Sequence, residues 1–268
     1  MTYAQGVVLG LVQGVTEFLP VSSSGHLILV PHLFGWPDQG LAFDAVIHLG
    51  TVAALVAYFR AELRAIFASV GGGTDHAEPR RLAILLIAAT IPGGLVGVLF
   101  DELIEQHLRL PIVVAASTLV WAVVMLAADR LAAARTDATR GEHNVGWGQG
   151  VLVGCAQALA LIPGTSRSGI TITAGLFGGL DRSTAARFAF LLGIPITAGA
   201  GALKALHLLK LGIPTGERGP LAVALLASFA AGWTTVWFLV NYLKRNSLTP
   251  FVAYRIALGL ILLALVFR

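Results

Sequence analysis

The chain has 268 residues, of which 56% are hydrophobic and 12% charged, and its formal net charge is +4. Soluble domains carry about 25% charged residues, so this composition excludes an ordinary water-soluble enzyme and points to the bilayer as solvent. The basic residues lie scattered in short loops, which excludes a nucleic-acid surface, and Cys155 as the single cysteine excludes an internal disulfide or a thiolate zinc cluster.

The first apolar region, about 4–34, is interrupted by Pro20 and by Ser22-Ser23-Ser24-Gly25, so it reads as two helices around a break rather than one span. It lacks a basic leader, and Glu17 stands where a signal peptide would stay apolar, so mature sequence is expected. Stretches 41–59, 81–100 and 111–129 follow, each near or above the spanning length of about 18 residues. A polar segment, 130–146, contains Arg135, Asp137, Arg140 and Glu142. A second interrupted region covers 147–180, and spans at 185–203, 219–240 and 250–267 complete the chain. Trp36, Tyr58 and Trp147 read as anchors at the membrane interface.

The two interrupted regions repeat one another. Gln5-Gly6-Val7 matches Gln149-Gly150-Val151 at the offset 149 − 5 = 144, and Gly10 with Gly154, Gln13 with Gln157 keep the register. Ser22, Ser24 and Gly25 match Ser166, Ser168 and Gly169 in the same way. The expected fold is therefore an all-α integral membrane protein with six transmembrane helices and two re-entrant helix–loop–helix elements. It is read as a single membrane domain: repeat one at 1–135, a linker at 136–146 and repeat two at 147–268. Three full spans per half is an odd number, so the halves are expected in inverted topology around a site near the midplane. With Arg167 and Arg255 left out because they fall inside the apolar elements, eleven Lys and Arg residues, the first Arg60 and the last Arg245, are assigned to one side and five, Arg109, Lys204, Lys210, Arg218 and Arg268, to the other. The richer side is expected in the cytoplasm, with the first break opening outward.

The chemistry concentrates at the breaks. Gln13 and Glu17 are four residues apart, on one helix face, and a carboxylate within an apolar span costs about 2.5–3.5 kcal/mol unless it meets a polar cavity or partner. Ser22, Ser23, Ser24, Gly25 and His26 then open the next helix, where backbone N–H groups and the helix dipole suit a phosphate. Pro163-Gly164-Thr165-Ser166-Arg167-Ser168-Gly169 repeats that geometry and adds a guanidinium, the group suited to bidentate phosphate contacts. Arg167 has no obvious partner in the sequence, so a charged ligand is expected to neutralise it in part. If the breaks meet, Glu17, Ser23, His26, Ser166 and Arg167 line one pocket for a diphosphate, with room for Mg²⁺ or Ca²⁺ on Glu17 and Gln13. Ser23 or His26 could attack phosphorus directly, or Glu17 and His26 could activate water; the spacing leaves all three open. Asp44 and His48, four apart at the start of the span 41–59, are expected at the interface, and Arg187 and Arg255 are given no chemical role.

The strings QGVTEFLPVSSSGH and PGTSRSG resemble the two signature motifs of the bacterial undecaprenyl-diphosphate phosphatases, the bacitracin-resistance family: (E/Q)-x-x-x-E followed by S-S-x-G-H, and P-G-x-S-R-S-G. FDAVIHLGT at 43–51 and RFAFLLGIP at 187–195 extend the likeness over most of the chain. The resemblance implies hydrolysis of undecaprenyl diphosphate to undecaprenyl phosphate and inorganic phosphate, which recycles the carrier for peptidoglycan synthesis. It also implies a bacterial inner-membrane location, a site facing the periplasm or exterior and a divalent cation, Mg²⁺ or Ca²⁺. Carried over by position, Gln13 and Glu17 are the metal and acid pair, Ser23 and His26 the catalytic loop, and Ser166 and Arg167 the phosphate clamp. Ser22, Ser24, Gly25, Gly164, Thr165, Ser168 and Gly169 are the surrounding substrate contacts. Gln13 occupies a motif position that also admits Glu, which leaves one fewer charge for a cation. A homodimer stays open as an assembly. The rival reading is a lipid or anion transporter on the same inverted repeats. The haloperoxidase-like lipid phosphatases are excluded, because residues 168–180 contain neither of the His and Asp residues their motif requires after the arginine.

Overall fold

The computed structural model describes residues 1–37, 39–69, 77–103, 107–108, 110–135, 145–212 and 215–267. Its helices run in the order α1 (Tyr3–Phe18), α2 (Ser23–Phe34), α3 (Leu41–Tyr58), α4 (Arg60–Ser69), α5 (Ala77–Leu103), α6 (Pro111–Ala134), α7 (Trp147–Ala158), α8 (Arg167–Phe177), α9 (Arg182–Leu211), α10 (Thr215–Leu243) and α11 (Thr249–Val266). No strand occurs among the described residues. Five of these helices, α5, α6, α9, α10 and α11, are long and apolar enough to cross a bilayer. A sixth span exists if α3 is counted with α4, to which it is bent by 76°. The expected spans thus correspond to helices, while the short helix α4 had no counterpart in the sequence reading. The linker expected at 136–146 lies outside the described residues except for Val145 and Gly146.

Both interrupted regions are broken where expected. Thr2 and Gln5 form a reciprocal cap that starts α1, and the helix ends at Phe18, with Leu19 extended before Pro20 as the proline ring requires. The chain re-enters a helix at Ser23, within the serine run, with Ser22 at φ 74. The second region ends α7 at Ala158, passes through a single 3-10 turn at Leu159–Leu161 and starts α8 after Ser166 at φ 71. Ser22 and Ser166 are the two non-glycine residues with positive φ among those described. Such a backbone costs about 1–3 kcal/mol per residue and persists only where its surroundings enforce it.

Small residues bring each broken helix against the other half of the chain. Gly6, Gly10 and Gly14 of α1 face Pro220, Ala224 and Ala231 of α10, where a Cβ at any of them would collide. Gly150 and Gly154 of α7 face Leu85 and Ala89 of α5 in the same manner. α6 packs along α11, and α3 along α9. At the centre, α8 is buried from Ser168 through Leu176, and Phe18 meets Phe190 edge-to-face at 5.5 Å. Leu95, Val98, Leu99, Val123, Leu226 and Leu260 point outward, as lipid-facing positions do. A band of polar contacts ties α8 and α9 to neighbouring helices: Arg182 pairs with Asp129 at 2.6 Å, Arg187 with Glu62 at 2.7 Å, and Arg135 donates to the carbonyls of Leu176 and Phe177 at the end of α8.

Candidate active site

The two breaks meet. Arg167, the first residue of α8, donates from Nη2 to Glu17 Oε1 at 2.8 Å, although 150 residues separate them. The other carboxylate oxygen, Oε2, is contacted by three groups. Ser23 Oγ donates to it at 2.8 Å and Gln13 Nε2 at 3.1 Å, and His48 Nε2 lies 3.3 Å away. His48 Nδ1 donates to the Asp44 carbonyl at 2.6 Å, since a carbonyl can only accept, which fixes the ring with Nε2 toward Glu17. A carboxylate held by four groups is how a bilayer protein accommodates a charge only 7% exposed.

These groups border a cavity of about 280 Å³, lined on its polar side by Glu17, Ser22, Ser23, Ser24, His48, Gln157, Ser166 and Arg167. Its other wall is mostly apolar: Ala160, Leu161, Ile196, Ala200 and Gly201, with Thr197 among them. Ser23 and Arg167 head α2 and α8, so the cavity faces the starts of both helices. Ser22 Oγ is 3.2 Å from Ser24 Oγ, and Ser166 Oγ accepts from the Gly169 N–H at 3.2 Å.

The remaining expected residues support the breaks from behind. His26 is hydrogen-bonded at both ring nitrogens, Nδ1 to the Ser22 carbonyl at 2.7 Å and Nε2 to the Tyr254 hydroxyl at 2.6 Å, and it does not line the cavity. Ser168 Oγ donates to the Leu19 carbonyl at 3.2 Å, joining the second break to the first. Gly164, at φ +89, fits against Ser117 and Val114 of α6, a space any side chain would fill. A Cβ at Gly25 would meet nothing closer than 3.8 Å, and Thr165 is fully buried away from the cavity.

Three residues were missed or misjudged from sequence. His48 belongs to the Glu17 cluster rather than to the interface, because α3 packs against α1 and α9 and turns its imidazole inward. Arg255 of α11, 1% exposed, donates to the carbonyls of Pro20 (3.3 Å), Gly164 (3.0 Å) and Thr118 (3.3 Å), and so clamps both breaks to α6. The guanidinium buried in an apolar span was the signal that could have found it. Gly193 of α9 makes room for Arg167, whose guanidinium would overlap any Cβ at that position. Arg167 itself is neutralised by Glu17 and does not wait for a ligand to do so.

Lipid-facing helices around a cavity of carboxylate, guanidinium and hydroxyl groups define a helical, multi-pass membrane protein with a polar site among its helices. The chain belongs to the family of the bacitracin resistance protein BacA, whose family model matches residues 6–261. It is 47% identical to undecaprenyl-diphosphatase 2 of Stutzerimonas stutzeri (strain A1501) over 269 aligned residues, covering 99% of this chain and 98% of that protein. The undecaprenyl-diphosphatase of Teredinibacter turnerae is 46% identical, with 96% of both chains covered. That of Thioalkalivibrio sulfidiphilus is also 46% identical, with 99% of both covered.

Proposed function

We propose that this protein hydrolyses undecaprenyl diphosphate to undecaprenyl phosphate and inorganic phosphate, recycling the lipid carrier of cell-wall synthesis and thereby conferring resistance to bacitracin. The observation that carries the reading is the Arg167–Glu17 contact at 2.8 Å beside Ser23, in a cavity with one polar and one mostly apolar wall. Phosphate oxygens meet Arg167, Ser22, Ser24, Ser166 and the N–H groups at the starts of α2 and α8, while the isoprenoid leaves past Leu161 and Ile196. Gly25 and Gly169 sit in the first turns of those helices, Gly169 against Ser166 and Arg255, and Gly164, Thr165 and Ser168 shape the second break.

Ser23 is the nucleophile in this reading, because its hydroxyl lines the cavity and already donates to Glu17. Its Oγ attacks the terminal phosphorus and passes its proton to Glu17 as the bond from that phosphorus to the bridging oxygen breaks. Undecaprenyl phosphate departs with the bridging oxygen. Water then hydrolyses the seryl phosphate, which releases inorganic phosphate and restores the hydroxyl. His26, with both nitrogens engaged, holds the Ser22 carbonyl and so fixes the loop that presents Ser23.

A divalent cation, Mg²⁺ or Ca²⁺, belongs to the same proposal. No group of three His, Cys, Asp or Glu residues able to hold a metal exists among the described residues, and Glu17 is already well hydrogen-bonded. Gln13 Oε1, however, is buried without a partner, so Gln13 and Glu17 would be the residues to hold such a cation beside the diphosphate. Such an ion would neutralise charge on the phosphate oxygens.

The two-fold correspondence of the halves, 1–135 and 147–268, is proposed as an inverted repeat with α1–α2 and α7–α8 as re-entrant elements. Supporting it are the paired strain at Ser22 and Ser166 and the reciprocal packing of α1 on α10 and α7 on α5. With the Arg-rich ends in the cytoplasm, the cavity opens to the periplasmic or outer face of the bacterial inner membrane.

The test is release of phosphate from detergent-solubilised undecaprenyl diphosphate by wild type, Glu17→Ala and Arg167→Ala, with and without a chelator. Wild type is expected to be active, to lose activity to the chelator and to regain it with Mg²⁺ or Ca²⁺. Each variant should lose about 10²–10⁴-fold. Folded wild-type protein without activity would replace this reading with transport of a lipid phosphate.

A further inference from the structure

Gln157 is the one residue on the polar wall of the cavity whose side chain is wholly unspent. It projects from the last turn of α7, is 1% exposed and lines the cavity, yet neither Nε2 nor Oε1 has a hydrogen-bond partner. A buried amide with both ends idle is costly and rare, and it calls for a ligand, an ion or water to complete it. Gly93 of α5 packs beside the amide, where a Cβ would come into ordinary contact with Nε2 at 3.5 Å and collide with Ile196 instead.

Comparison with the first half explains why the amide is idle. Gln13 matches Gln157 in the sequence register, and its Nε2 is occupied by the carboxylate four residues on, Glu17. The residue four after Gln157 is Leu161, which lines the same cavity and can accept nothing. One half of the cavity therefore holds a carboxylate with its amide already bound to it. The other holds a free amide near Arg167 and no acidic residue of its own. The second half thus offers an anion an idle amide donor that the first half does not.

We infer that Gln157 is a substrate-contacting residue that donates from Nε2 to an oxygen of the diphosphate, beside Arg167, and that it sets affinity for the headgroup rather than the rate of phosphorus chemistry. The inference rests on the phosphatase reading for its substrate but on the geometry of the amide for its location. Gln157 takes no proton and forms no bond; its contact is the same before and after Ser23 attacks, so it binds ground state and transition state alike. Its replacement should therefore raise KM and leave kcat nearly constant.

The experiment compares full-length wild type, Gln157→Leu and Gln157→Glu in detergent, with inorganic pyrophosphate as the binding probe and undecaprenyl diphosphate as the substrate. In Gln157→Leu the ligand-free Tm is expected to rise, since an unsatisfied amide is replaced by a packed apolar group of similar size. The pyrophosphate affinity, read from the concentration dependence of Tm, should fall about tenfold, the ratio carried by one hydrogen bond to a charged group, and KM should rise to match. Gln157→Glu should bind pyrophosphate more weakly still, because its carboxylate faces the anion. Unchanged pyrophosphate affinity and KM in either folded variant would overturn the assignment, as would a Gln157→Leu protein that melts earlier while Gln157→Glu binds like wild type. If wild type hydrolyses the lipid but the variants keep its KM, only this inference falls. If wild type binds pyrophosphate through Gln157 yet hydrolyses nothing, the phosphatase reading falls and the anion contact stands.

Discussion

The guanidinium of Arg167 occupies the space that a side chain at Gly193 would fill, so a bare backbone position on α9 sets where the charge on α8 can sit. Gly193→Ala should push the guanidinium away from Glu17 and so loosen a buried ion pair. A misplacement on the order of 1 Å can cost about 10²-fold, and kcat/KM is expected to fall by at least that much, with a lowered Tm as the carboxylate loses its partner. Wild-type kcat/KM in the folded variant would show that the arginine needs no such constraint.

Arg255 stabilises the meeting of the breaks without touching the cavity. Its guanidinium serves the carbonyls of Pro20, Gly164 and Thr118, which belong to three different elements. Arg255→Leu leaves these acceptors buried and unpaired, a loss on the order of 3 kcal/mol, or about 6–12 °C in Tm for a chain of this length. A thermal melt superimposable on wild type would contradict the clamp.

His48 supplies one of the contacts to Glu17 Oε2. With leucine at this position the carboxylate loses that partner and its placement against Ser23, and phosphate release is expected to drop about tenfold or more. Glutamine can offer an N–H toward the same oxygen, so His48→Gln should recover most of the activity. Equal activities for the leucine and glutamine variants would assign the imidazole to packing alone.

Much of this site could be read from the chain because its parts are local. Gln13, Glu17 and Ser23 lie within a dozen residues, and the helix period, the proline and the serines place them at one break. The register relating them to Ser166 and Arg167 brought the second break into the same picture. His48, Gly193 and Arg255 were not placed for a different reason. Each enters the site through a tertiary crossing of α3, α9 or α11, which no periodicity encodes, although the charge of Arg255 within an apolar span was itself a signal. His48 was judged with Asp44 as an interfacial pair, since i, i+4 spacing tells which residues share a face but not what that face meets. The bend into α4 escaped notice because Phe59 and Arg60 bring no proline or glycine to the junction, and the segment's charges read as a loop.

The glycine seams described above join α1 to α10 and α7 to α5, so each broken helix pair is wedged against the opposite half of the chain at backbone distance. Neither tip can withdraw without prising apart a wall that belongs to the other. The halves are therefore interlocked like clasped hands, and a fragment containing one of them would expose a bare groove in place of a floor. The cavity is a joint possession of both.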